Sequence, residues 1–89
     1  MKVYDYYGRK NICGNRVREA RVRRKLTQEE LAARLQVAGI TIERDSVSRI
    51  EIGTRFVADF ELVVLAKVLK VDLEWLACLD EPDAECRKG

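Results

Sequence analysis

Apolar residues return three or four positions apart along most of this chain, and no run alternates long enough to make a strand. That spacing confines the chain to a helical fold. A helix with one apolar stripe is stable only against neighbours, so several must close around a shared core. The 89 residues give room for one such domain. Hydrophobic residues make up 47%, enough to fill its core, and a single Pro leaves the helices uninterrupted.

Pattern and punctuation predict five helices. Asn11 caps a first helix that runs to about Lys25, with Cys13, Val17 and Ala20 inward and Arg16, Arg18, Arg23 and Arg24 outward. Leu26 then anchors the chain. Thr27-Gln28-Glu29-Glu30 is a capping box: the Thr27 hydroxyl accepts from the N–H of Glu30, whose carboxylate reaches back to Thr27. The helix it opens turns Leu31, Leu35 and Ala38 inward, Ala32 and Ala33 let a neighbour approach closely, and Gly39 ends it. Residues 40–43 read as a connection that tucks Ile40 or Ile42 into the core. A third helix, over about 44–52, points Val47 and Ile50 inward, and Gly53 closes it. Phe56 is expected to be buried. A fourth helix, from near Asp59 to Lys70, buries Leu62, Leu65, Ala66 and Leu69, with Val71 behind it. Asp72 caps a short fifth helix carrying Leu73, Trp75 and Leu76. The domain so defined covers 11–79, between a flexible Tyr-bearing arm at 1–10 and a polar tail at 80–89.

Charge is unevenly spread. Residues 1–55 hold thirteen basic and seven acidic side chains, a net +6, whereas 56–89 hold four and eight, a net −4. A basic half suits phosphates, with the acidic half turned away, although a solvated surface would look the same. The cysteines, Cys13, Cys78 and Cys86, are odd in number, lack a CxxC pairing and have no His to complete a zinc site. They read as reduced thiols in a cytoplasmic protein. Neither metal nor cofactor is expected, and no apolar run reaches the roughly 18 residues of a membrane span. Without His, a nucleophile–base pair or a phosphate-cradling Gly loop, the chain does not read as an enzyme.

The second and third predicted helices form the informative unit. A capped amphipathic helix, a connection and a short helix with a polar outer side is the helix-turn-helix plan. The outer side of the third carries Arg44, Asp45, Ser46, Ser48 and Arg49. Arg pairs bidentately with guanine, Asp accepts from cytosine and Ser bonds several bases. Gln28 lies at the amino end of the preceding helix, where an anion is favoured.

At residues 17–76 the chain resembles the Cro/C1-type (XRE-type) helix-turn-helix family, with its lambda-repressor-like fold. The resemblance rests on VREAR (17–21), LTQEELAARL (26–35), SVSRIEIG (46–53) and LVVLAKVLKVDLEWL (62–76). It implies that Arg44, Asp45, Ser46, Ser48 and Arg49 read bases and that Gln28, Thr54 and Arg55 contact phosphates. It also implies a partly buried salt bridge between Arg21 and Glu51. Three features depart from the family. Lys25 replaces the usual Gly before Leu26. The stretch between Leu35 and Val47 is longer by about five residues, which predicts a second helix extended by a turn and a looser connection. Glu43 takes the N-cap position of the third helix, where Asp or Ser caps better.

The leading expectation is an all-α, sequence-specific regulator, a repressor by preference, that binds double-stranded DNA. One short helix reads few base pairs, so a homodimer on a palindromic operator is expected, with Trp75, Leu76 and Leu79 of the fifth helix as the first place to look for its contact. The alternative is a protein-interaction adaptor or antitoxin-like partner on the same fold.

Overall fold

The computed structural model describes residues 6–79. Its elements are α1 (Gly14–Arg23), α2 (Gln28–Val37), α3 (Arg44–Ile52), α4 (Asp59–Leu69) and α5 (Leu73–Leu76). The only strand-like pairing among the described residues is the bridge between Tyr6 and Arg9. The fold is all-α, as periodicity requires.

The core is made by the stripes read from the sequence. Cys13, Val17 and Ala20 of the α1 segment meet Leu31 and Leu35 of α2, Val47 and Ile50 of α3, and Leu65, Ala66 and Leu69 of α4. Leu76 closes it from α5 and is fully buried. Within this core, burial pushes the Cys13 thiol up to about 12, so it packs as a small apolar group. Cys13 is free, whereas Cys78 is disulfide-bonded, which corrects the expectation that all three cysteines are reduced. Cys86 lies outside the described residues.

The punctuation works as follows. The Asn11 side-chain oxygen accepts from the Gly14 N–H at 2.8 Å and so opens α1. At the end of α1, Lys25 adopts the left-handed conformation (φ 60°) that Gly would take at less cost. The turn closes through Leu26 N–H to the Arg21 carbonyl at 3.0 Å. Arg21 Nη1 then donates to the Leu26 carbonyl at 2.7 Å, tying the turn to α1. At α2, Glu30 N–H donates to Thr27 Oγ1 at 3.0 Å and Thr27 N–H to Glu30 Oε1 at 2.8 Å, the two halves of the capping box.

Four expectations need correction. The extra length after Leu35 does not extend α2 by a turn: the helix stops at Val37, and left-handed Gly39 (φ 98°) turns the chain. Ala38, expected inward, is therefore exposed at the C-cap, and Ala32 is buried instead. The added residues form an ordered connection at 38–43, in which Ile40 and Ile42 are both buried and Gln36 Nε2 donates to the Ile42 carbonyl at 2.7 Å. Arg16 is buried, not outward: its Nη1 donates to the Trp75 carbonyl at 2.6 Å and its guanidinium lies 4.8 Å from the Trp75 ring centroid. Phe56 is 49% exposed, covered by the Lys10 ammonium rather than by the core.

At Gly14, α1 lies directly against the backbone of α3. A Cβ built there would stand 2.1 Å from the Ile50 carbonyl oxygen and 2.5 Å from Arg9 Nη2. Helix propensity alone would make Gly14→Ala stabilising by about 1 kcal/mol. The contact reverses that sign, and urea unfolding should show a loss of about 1–3 kcal/mol instead.

Candidate nucleic-acid interface

The outer side of α3 is set by its inner side. Val47 and Ile50 are buried, which turns Arg44, Asp45 and Arg49 fully outward and leaves Ser46 and Ser48 half-buried at the flanks. All five expected base-reading residues thus sit on one exposed helix. Arg44 and Asp45 approach at 3.5 Å with highly exposed side chains, an ion pair too weak to hold either in place. Ile52, 63% exposed, extends the same side by a turn and offers an apolar surface that the sequence reading passed over. The expected weakness of Glu43 as a cap is visible: its side chain makes no capping hydrogen bond.

The expected phosphate contacts are placed differently from one another. Thr54 is exposed directly after left-handed Gly53, and its N–H closes the end of α3 on the Arg49 carbonyl at 2.9 Å. Arg55 is clamped to Glu61, Nη1 to Oε1 at 3.0 Å and Nη2 to Oε2 at 3.1 Å. Its hydrogen bond is the first reason Glu61 ionises below the ordinary 4.5, and the Ala58 N–H that Glu61 accepts at the start of α4 lowers it further. Gln28 donates from Nε2 to Glu51 Oε1 at 3.1 Å.

Glu51 is where the three helices are joined. Arg21 Nε donates to its Oε2 at 2.7 Å and Arg21 Nη2 to its Oε1 at 3.1 Å. The carboxylate is nearly inaccessible, and the guanidinium is mostly so. One side chain of α3 therefore binds α1 through Arg21 and α2 through Gln28. This brings Gln28 together with the salt-bridge pair, whereas Arg55 belongs to a separate contact with α4.

Sequence reasoning missed the part played by residues 9–11. Arg9 is 3% exposed and donates from Nη2 to the Glu51 carbonyl at 3.1 Å. Lys10 N–H donates to the Gly53 carbonyl at 2.8 Å. Asn11 Nδ2 donates to the carbonyls of Ile50, at 3.0 Å, and Arg55, at 2.8 Å. A polar terminus gives no periodic signal; only the Gly at position 53, read as a cap, hinted that something could approach closely there. Lys10 is exposed beside Thr54 and Arg55 and adds a cation to that end of α3.

A capped helix leading by an ordered turn to a second helix, held from within and polar without, defines a helix-turn-helix protein. A family model described as helix-turn-helix matches residues 17–76. The chain belongs to that family, the Cro/C1-type helix-turn-helix proteins, and is a DNA-binding regulator of transcription. No curated protein and no solved structure matches it. Among the described residues no helix is long and apolar enough to cross a membrane.

Two measurements test the internal ties. Glu51→Ala strands the Arg21 guanidinium in a mostly buried position, and urea unfolding should register a loss of about 3 kcal/mol. Glu61 and Glu30 both ionise below their ordinary 4.5, Glu61 chiefly through Arg55 and Glu30 chiefly through the Thr27 N–H. Because the folded state lowers these values, their contribution is complete above the unfolded value and is lost as pH falls through the folded one. Unfolding free energy should therefore drop on acidification below about pH 4.5. Glu61→Gln should make that drop shallower; an unchanged slope would show that Arg55 does not hold Glu61.

Proposed function

We propose that the protein binds a specific double-stranded DNA sequence by laying α3 in the major groove, and that it acts there as a repressor. The observation that carries this reading is the outer side of α3. Arg44, Asp45 and Arg49 are exposed, while Val47 and Ile50 on the other side fix the helix to the core. These side chains match base edges: Arg for guanine, Asp for cytosine, and the half-buried Ser46 and Ser48 for either partner of a pair.

Phosphate contacts would position that helix. Thr54 and Lys10 lie at its C-terminal end, and Gln28 at the start of α2. Gln28 would exchange its bond to Glu51 for a phosphate oxygen, which Arg21 makes affordable by keeping Glu51 paired. Arg55 would have to share its guanidinium with Glu61, so it is the weakest of the expected phosphate ligands.

A helix of this length reads only a few base pairs, and we place the protein on a palindromic operator as a homodimer. Leu76 is buried and Trp75 lies against Arg16 and Arg23. A self-contact through α5 and the turn after it would therefore rest on Leu73 and Leu79, both exposed. With DNA as partner the protein works in the cytoplasm, where a disulfide such as that of Cys78 is unusual.

Selection from a random duplex pool tests the reading: the enriched sites should share a motif with two-fold symmetry. Absence of any motif would favour a protein-binding adaptor or antitoxin-like role instead. On the selected site, Arg49→Ala should relax preference at one base pair, costing about 1–3 kcal/mol there, with little change in affinity for random duplex. Fluorescence anisotropy on the selected and base-substituted duplexes would measure it.

A further inference from the structure

We propose that Arg9 is a positioning residue for α3: threaded between two glycines onto the carbonyl end of that helix, it sets the angle at which the base-reading side is presented. The proposal rests on the reading of α3 as the groove-entering helix.

The local construction is costly and specific. The chain turns back at residues 6–9, closed by Tyr6 N–H to the Arg9 carbonyl at 2.7 Å and Arg9 N–H to the Tyr6 carbonyl at 2.9 Å. Tyr7 and Gly8 both take positive φ, 51° and 81°, as the tightest hairpin turns require. The turn sends the Arg9 side chain inward. Its guanidinium passes where a Cβ on Gly53 would stand 2.6 Å from Cζ and one on Gly14 would stand 2.5 Å from Nη2. Gly53 also needs its left-handed backbone, but Gly14 does not, so at Gly14 the requirement is space alone.

The charge on Arg9 has an unusual counterpart. No carboxylate pairs with it among the described residues, and its Nε has no hydrogen-bond partner. What it meets is the Glu51 carbonyl in the last turn of α3. The final carbonyls of a helix lack partners within the helix and form the negative end of its dipole, so a cation is favoured there. A buried guanidinium with an unsatisfied nitrogen is a poor way to gain stability. It is a good way to fix geometry, because the planar group fits only one slot. Lys10 and Asn11 add donors to the Gly53, Ile50 and Arg55 carbonyls, so four bonds run from residues 9–11 to the last turn of α3 and the loop just after it. Glu51 meanwhile ties the same turn to α1 and α2 through its side chain. The backbone and the side chain of one residue are thus held by separate partners. An α3 pinned at that turn can tilt little, and small tilts at this end shift Arg44 and Asp45 at the other end most.

The test compares Arg9→Met and Arg9→Lys with the unaltered chain. Affinity is measured for the selected duplex and for a random duplex, across a salt series, with thermal unfolding as control. Arg9→Met should remain cooperatively folded, bind the selected duplex about tenfold more weakly, on the order of one mismatched base pair, and bind random duplex as before with the same salt slope. Arg9→Lys, which keeps a cation for the Glu51 carbonyl, should recover part of the lost discrimination. If Arg9→Met does not fold, the same ratio is read on Arg9→Lys, which should then fall between unaltered and non-discriminating. Unchanged discrimination in a folded variant overturns the proposal. An equal loss on both duplexes with a flatter salt slope also overturns it, since Arg9 would then be a phosphate ligand. Failure of the unaltered chain to prefer any duplex overturns the DNA reading and this inference together.

Discussion

The carboxylate of Glu51 is the contact around which this structure is organised. It sits in the last turn of α3, almost out of reach of water, and accepts from Arg21 on α1 and Gln28 on α2. A charge in that position is tolerable only when it is paired and hydrogen-bonded. The pairing therefore does more than contribute stability. It requires three helices to meet at one point, and so fixes how α3 lies across the other two. Val47 and Ile50 hold the helix to the core without specifying its rotation as tightly, because apolar contacts are not directional.

A helix that must be read from outside has to be restrained from inside. Here the restraint is concentrated at one end. Residues 9–11 supply donors to the carbonyls that end α3, while left-handed Gly53 and Thr54 close the same end through backbone bonds. The opposite end is looser. Glu43 makes no side-chain cap, and the exposed Arg44 and Asp45 share only a weak ion pair with each other. A C-terminal end tied down by hydrogen bonds and an exposed leading edge suit a helix whose first residues meet the ligand. The long connection at 38–43 is itself anchored, since Ile40 and Ile42 are buried in the core.

Much of this was legible beforehand. The capping box at Thr27, the buried stripes of α1, α3 and α4, and the exposed row on α3 all follow from local rules whose partners lie within one or two helical turns. The misreadings share a different cause. Arg16 looked like a surface residue because nothing nearby in sequence reports that Trp75 will come to lie over it. Phe56 looked like core because its size argues for burial, yet its neighbour Val57 is the one packed against the core, and Phe56 lies half-exposed under Lys10. Arg9 sat in a terminus with no periodic signal and Asn11 was read only as a cap, because their partners on and beside α3 are some forty residues away in the chain.

What the sequence determined alone was therefore the set of helices, the main apolar stripe each buries, and the residues left facing out on α3. These depend on 3.6-residue periodicity and on caps, which are properties of short stretches. What only the tertiary structure decided was which polar groups meet: Arg21 and Gln28 on Glu51, Arg55 on Glu61, Arg9 on the end of α3. The reason is physical. Apolar burial rewards any neighbour of suitable shape, whereas a hydrogen bond or ion pair demands a partner at one distance and direction, and that is settled only when distant segments have come together.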